Sequence, residues 1–242
     1  MILDNFPKVL WINLNSSEER RSYMENLLKS YNIENTRISA INGVDSNSND
    51  LDICMKHPEL SDAENACSCS HLIALRYFIE KTNEDKIVIF EDDVSFEFLE
   101  YIPYNWSEFM EHLPKNYKII QLAVIGMGRD VYPKLDIINY LYCSTTAYLI
   151  TRKAAIEILN DYYPNFEKIT LSNKIMGTAR ADEIIRLYGN TYSIPIFTYR
   201  GTDSTIHTEH LSIHLKSKNQ QFDEWKKIKN ITKEEAIKLL SV

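Results

Sequence analysis

Residues 86–96, "KIVIFEDDVSF", restrict the fold more than any other stretch of the chain. Ile87, Val88, Ile89 and Phe90 form an unbroken apolar run, and Glu91, Asp92 and Asp93 follow at once. A short apolar run without alternation reads as a strand buried on both faces. Three adjacent carboxylates repel one another, and burying them costs several kcal/mol each unless something pairs with them. The strand therefore has to deliver its acids to an end of a sheet, where they sit in water or hold a cation.

The stretches around it alternate in kind. Lys8 to Leu14 is a short apolar strand, and "NSSEERRSYMENLLKSY" reads as a helix. Ser16 and Glu19 have the spacing of a capping box, and Met24, Leu27, Leu28 and Tyr31 share a face. "TRISAI" alternates as a second strand, and Asn42-Gly43 opens the polar loop that follows. "AENACSCSHLIALRYFIEKTN" is a helix, "KIVIF" a third strand, "YKIIQLAV" a fourth and "STTAYLIT" a fifth, leading into the helix "RKAAIEILNDYY". "TYSIPIFTY" is a late strand broken by Pro195, expected at an edge or entering a loop. "ITKEEAIKLLSV" closes the chain as a helix, with Thr232 and Glu235 at capping-box spacing. Strands alternating with helices predict an α/β fold: a mostly parallel central sheet flanked by helices, in a single domain with a less regular C-terminal third. Such sheets bind ligands at the carboxyl ends of their strands, which is where "EDD" stands.

Composition narrows the function. At 242 residues, 44% hydrophobic and 25% charged, the chain can bury a substantial core. A net charge of -7 speaks against general nucleic-acid binding, which needs a basic footprint. No apolar run approaches the roughly 20 residues of a transmembrane helix. "MILDNFPKVLWINL" has no basic segment before an apolar stretch, so no signal peptide is read and a cytoplasmic location is expected. Cys54, Cys67, Cys69 and Cys143 are irregularly spaced and are expected as thiols. Cys54, His57, Cys67, Cys69 and His71 crowd together in sequence, but the C-x-C spacing is not that of a zinc knuckle.

On an extended backbone Glu91 and Asp93 share one side and Asp92 faces the other. Two carboxylates converging at a strand end can hold a hard divalent cation, which accepts phosphate oxygens as further ligands. A wet acidic strand end has the same local pattern. A haloacid dehalogenase-type phosphohydrolase also has an apolar strand ending in acids, but it needs an aspartate nucleophile where this chain has Glu91. There is no G-x-S-x-G, P-loop or G-x-G-x-x-G segment.

Four further stretches give "IVIFEDDV" its context: "WINLNSSEERR", "AINGVD", "AENACSCSHLIAL" and "TTAYLITRKAAIEIL". In this order they resemble glycosyltransferase family 25, which includes lipopolysaccharide sugar transferases and procollagen galactosyltransferases. The likeness covers roughly residues 8 to 200. It implies a GT-A-like fold, a UDP-sugar donor, Mn2+ or Mg2+, and an inverting transfer of a hexose to a glycan or hydroxylated protein acceptor. The nucleotide-sugar part would span about residues 1–125 and the acceptor side about 126–242. It implies metal ligation of the DXD type by Asp93 with Glu91, completed by His207 among the late histidines His207, His210 and His214. It further implies nucleotide-sugar contacts from Asn13, Leu14, Arg20, Asn42, Gly43, Ser70, His71 and Asp92. "RADEII" resembles the family's later acidic motif, so Asp182 is the implied general base, with Glu183 second. A carboxylate on the acceptor side suits the task, because a hydroxyl needs a positioned base as it attacks. A non-catalytic carbohydrate-binding protein of the same fold is the alternative from another class.

Overall fold

The computed structural model describes residues 1–43, 50–138, 141–174, 178–186, 188–200 and 211–241. Its strands, in chain order, are β1 Val9–Asn13, β2 Asn35–Ser39, β3 Cys54–Met55, β4 Lys86–Glu91, β5 Val94–Ser95, β6 Ile119–Gln121 and β7 Ile125–Gly126. They continue with β8 Asp136–Ile137, β9 Tyr142–Cys143, β10 Ala147–Thr151, β11 Ile169–Thr170, β12 Thr191–Ser193 and β13 Thr198–Tyr199. The helices are α1 Glu18–Ser30, α2 Asp62–Lys81, α3 Trp106–Glu111, α4 Arg152–Tyr162, α5 Ala181–Arg186, α6 Leu211–Ile228 and α7 Lys233–Lys238. No described helix is long and apolar enough to cross a membrane.

Seven strands form the central sheet in the order β2-β1-β4-β10-β6-β12-β8. β1 pairs in parallel with β2 and β4, and β6 with β12. β10 runs antiparallel between β4 and β6, and β8 is antiparallel at the edge. The sheet is thus mostly parallel, as expected, with one reversed strand at its centre.

Period-two alternation explains the unbroken apolar strands. Val9, Trp11, Val88, Phe90, Ala147 and Leu149 enter a core on one face, closed by Met24 and Leu28 of α1, Trp106 of α3, Trp225 of α6 and Ala236 of α7. Leu10, Ile12, Ile87, Ile89, Tyr148 and Ile150 enter the opposite core, closed by α2, α4 and α5. Both faces are covered, so neither can be polar.

Several local expectations change. α1 starts one residue later than a Ser16–Glu19 box requires: Ser17 is its N-cap and makes no side-chain cap bond. The third helical position is then Arg20, whose side chain goes to Asp92 rather than back to the cap. Tyr31, placed by periodicity on the buried face, is exposed. The Thr232–Glu235 box forms as expected. β12 is not an edge strand, since β8 covers it. Pro195 lies just beyond its end, separating it from β13.

α6 replaces the irregular segment expected there. Its buried positions Ser217, Gln221 and Trp225 recur every four residues, but two of them are polar. Ser217 accepts from the Gly126 amide at 2.8 Å, and Gln221 donates to the Val124 carbonyl at 2.8 Å. A helix that buries hydrogen-bonded polar groups leaves little apolar period to read.

Candidate active site

Parallel pairing brings two strand ends to one place. Ile12 of β1 lies opposite Glu91 of β4, so the next residues, Asn13 and Asp92, stand side by side. Asn13 donates from Nδ2 to Asp92 Oδ2 at 2.7 Å, and Arg20 from the first turn of α1 donates to Asp92 Oδ1 at 2.7 Å. Both oxygens of buried Asp92 are therefore engaged by protein groups. Glu91 turns to the α2 side, where His71 Nε2 lies 3.2 Å from Oε1 and the Thr145 hydroxyl donates to the same oxygen. Burial pushes the Glu91 carboxyl up, but these hydrogen bonds and the Arg20 charge hold it below the usual carboxylate range.

Asp93 differs from its neighbours. Its Oδ1 is buried with no hydrogen-bond partner. Burial, and then repulsion by Glu91, push its carboxyl up to about 7, against the pull of Arg20. A spare carboxylate oxygen beside two further acids is the donor chemistry that a hard divalent cation takes.

The cleft beside these groups has an interior of about 130 Å³. Its lining includes Asn13, Leu14, Arg20, Asn42, Gly43, Ser70, His71 and Asp92, all eight residues expected to meet a nucleotide sugar, together with Glu91 and Cys67. The structure brings them together from β1, α1, the loop after β2, α2 and the end of β4. Ser70 pins that loop to α2 by accepting from the Ile41 amide at 2.9 Å. Gly43 packs so closely on the first turn of α2 that an added Cβ would stand 2.2 Å from the Asp62 carbonyl oxygen. Only glycine fits there.

The acidic pair of α5 divides. Glu183 lies 3.4 Å from Arg180 and 3.8 Å from Arg186, and is thereby committed to two guanidiniums. Arg180 also reaches Glu64 at 3.1 Å, tying α5 to the start of α2. Asp182 instead hydrogen-bonds with the Cys143 thiol. Its charge also reaches Cys67 in the cleft, whose thiol is held well above its ordinary range by burial and then by Glu91, Asp182 and Asp93. His207 and His210 lie outside the described residues. His214 sits on α6, with its ring against Tyr199 and its carbonyl accepting from the Tyr199 hydroxyl at 2.7 Å.

Three participants escape a reading of the sequence. Arg37 donates to Asn13 Oδ1 at 2.9 Å and to Asn15 Oδ1 at 2.7 Å. Its only sequence signal is a polar position in the alternating strand β2. Thr145 holds Glu91, and Tyr148 places its hydroxyl 3.1 Å from His71 Nδ1. Both sit in or beside β10, whose reversed direction brings them to the end of β4. Ser144, just before them, adopts φ 110°, a strained conformation for a residue with a side chain.

Residues 6–171 match the model of glycosyltransferase family 25, the LPS biosynthesis protein family. No curated protein sequence matches. Among solved structures, A197 from STIV aligns with a TM-score of 0.44 and 16% identity, over 79% of this chain and 83% of that one. A glycosyltransferase involved in the glycosylation of the major capsid of PBCV-1 aligns with a TM-score of 0.44 and 8% identity, over 85% of this chain and 98% of that one. The family match spans well over half of the sequence and contains the strand ends, the α2 histidine and the carboxylate run: the chain belongs to glycosyltransferase family 25.

Proposed function

We propose that this glycosyltransferase moves a hexose (galactose, glucose or an N-acetylhexosamine) from a UDP-sugar to a hydroxyl of a glycan or protein acceptor, with inversion and with Mn2+ or Mg2+ bound. The observation that carries the reading is the partnerless buried oxygen of Asp93 at the end of β4, beside a cleft lined by polar groups from several elements.

In this reading Asp93 holds the cation, and Glu91 is a second acid within reach. Asn13 and Arg20 fix Asp92 at the nucleotide end. The bound cation would supply the positive charge that a departing diphosphate needs. Leu14, Asn42, Gly43, Ser70 and His71 shape the wall against which the donor lies. Asp182 takes the acceptor proton as the acceptor oxygen bonds to the anomeric carbon and the bond from that carbon to the diphosphate breaks. Glu183, paired with two arginines, orients the start of α5. Residues 1–125 then supply the donor side and 126–242 the acceptor side.

A thermal-shift panel of UDP-, GDP-, CMP- and dTDP-sugars, with and without Mn2+, tests this. Binding to the native state alone raises the melting temperature. A UDP-sugar should raise it only with Mn2+ present, and Asp93→Ala should abolish both that shift and UDP release. A metal-independent shift, or full turnover by Asp93→Ala, overturns the metal assignment.

A further inference from the structure

α2 and β4 assemble a second set of potential ligands that the transfer reaction does not use as a set. The Cys67 thiol, a ring nitrogen of His71 and a carboxylate oxygen of Glu91 all lie within 4.8 Å of one another. Cys67 and His71 are four residues apart on α2, so they share a face and look onto the end of β4. We propose that Cys67, His71 and Glu91 form a Zn2+ site on the α2 side of the cleft, sharing Glu91 with the cation site proposed at Asp93.

The donor set favours this ion. One thiolate, one imidazole and one carboxylate make a borderline-soft shell that suits Zn2+ and not Mg2+ or Mn2+. Three protein ligands leave a fourth position open toward the cleft, the pattern of an accessible zinc site rather than a closed structural one. Ligand atoms around a tetrahedral Zn2+ are about 3.3–3.8 Å apart, given bonds of about 2.0–2.3 Å. The His71–Glu91 separation is already 3.2 Å, and the Cys67 thiol lies within 4.8 Å of both.

Outer partners are also in place. Tyr148 lies 3.1 Å from His71 Nδ1, which orients the ring with Nε2 toward Glu91. The Thr145 hydroxyl holds Glu91 from the other side. Ligating histidines and carboxylates take such partners, which set ring orientation and raise affinity. Zn2+ binds Cys67 as the thiolate, so binding releases the thiol proton to solvent. The free cysteines Cys54 and Cys69 hydrogen-bond with each other rather than with this cluster, so the site is not the knuckle that the crowded sequence suggests.

Co2+ is the probe, titrated into the chelator-treated full chain. The expected result is a thiolate-to-cobalt charge-transfer band in the near ultraviolet, with tetrahedral visible bands, saturating at one equivalent. Zn2+ should bleach it at one equivalent, and Mn2+ should not. Cys67→Ser should lose the charge-transfer band, and Tyr148→Phe should keep it with about tenfold weaker Co2+ binding. No charge-transfer band in the wild type, or an unchanged band in Cys67→Ser, overturns the proposal. Should Cys67→Ser not fold, peptide-resolved alkylation of the wild type decides. Zn2+ should slow modification of Cys67 at least tenfold and leave Cys143 unaffected; equal slowing or none at Cys67 overturns it. The Mn2+ panel on nucleotide sugars is read independently, so either proposal can fail alone.

Discussion

One amide holds the ends of β1 and β4 and the start of α1 together. Asn13 donates to Asp92 and to the Ser17 carbonyl, and accepts from Arg37 and Arg21. Asn13→Ala leaves a buried carboxylate oxygen with one partner fewer, so it should cost about 1–3 kcal/mol in chemical denaturation. Asn13→Asp puts a second acid against Asp92 and should cost more. Cys143 reports on Asp182. Burial, then the charge and hydrogen bond of Asp182, push its thiol up to about 12. At neutral pH it should therefore carry about a thousandfold less thiolate than an unperturbed cysteine. Its alkylation should accelerate about tenfold per pH unit from pH 7 to 9, and Asp182→Asn should speed it at fixed pH. Peptide-resolved mass spectrometry checks both. A rate that levels off below pH 9 would remove Asp182 from the neighbourhood of that thiol. The acids at the end of β4 were legible because the strand and its charges are contiguous in sequence, and the resemblance pointed to Asn13 and Arg20, which do meet Asp92. Arg37, Thr145 and Tyr148 were not, since each is an ordinary residue until another strand lies beside it.

At the level of elements, the sequence shows helices α1, α2, α4 and α7 and six of the seven central strands, misplaces some of their ends and misses the two-residue strands β3, β5, β7, β8, β9 and β11. The Thr232–Glu235 box closes α7, whereas the matching spacing at Ser16–Glu19 closes nothing. Thr232→Ala should therefore destabilise by about 1 kcal/mol and Ser16→Ala by close to nothing, measured by the urea midpoint at constant slope. The difference follows from the residue at the third position. The third position of α1 carries Arg20, which is needed at Asp92, where a capping helix would carry Glu or Gln. α3 and α6 were absent from the sequence reading for different reasons. α3 is six residues long, too short for a period to show, although Asn105 and Glu108 do form a capping box. α6 conceals its buried face behind Ser217 and Gln221.

At the scale of the molecule, the described residues gather around one seven-stranded sheet with a core on each face, and the C-terminal helices are part of the first core. Trp225 is fully buried and donates from Nε1 to the Pro195 carbonyl at 2.7 Å. Trp225→Ala should cost about 3–5 kcal/mol, and so lower the melting temperature by about 10 °C in calorimetry. A much smaller effect would mean that α6 packs independently of the sheet. The sequence alone determined six of the seven strands of the central sheet, that the central ones are covered on both faces, and that the acids stand at a strand end. Those properties follow from runs of neighbouring residues, because apolar period and charge repulsion act locally. Tertiary structure decided which strands are neighbours, that β10 runs against β4, and that Cys67, His71 and Glu91 converge. These depend on pairing between distant segments, where burial and backbone hydrogen bonding over the entire sheet choose one register among many that the local pattern allows.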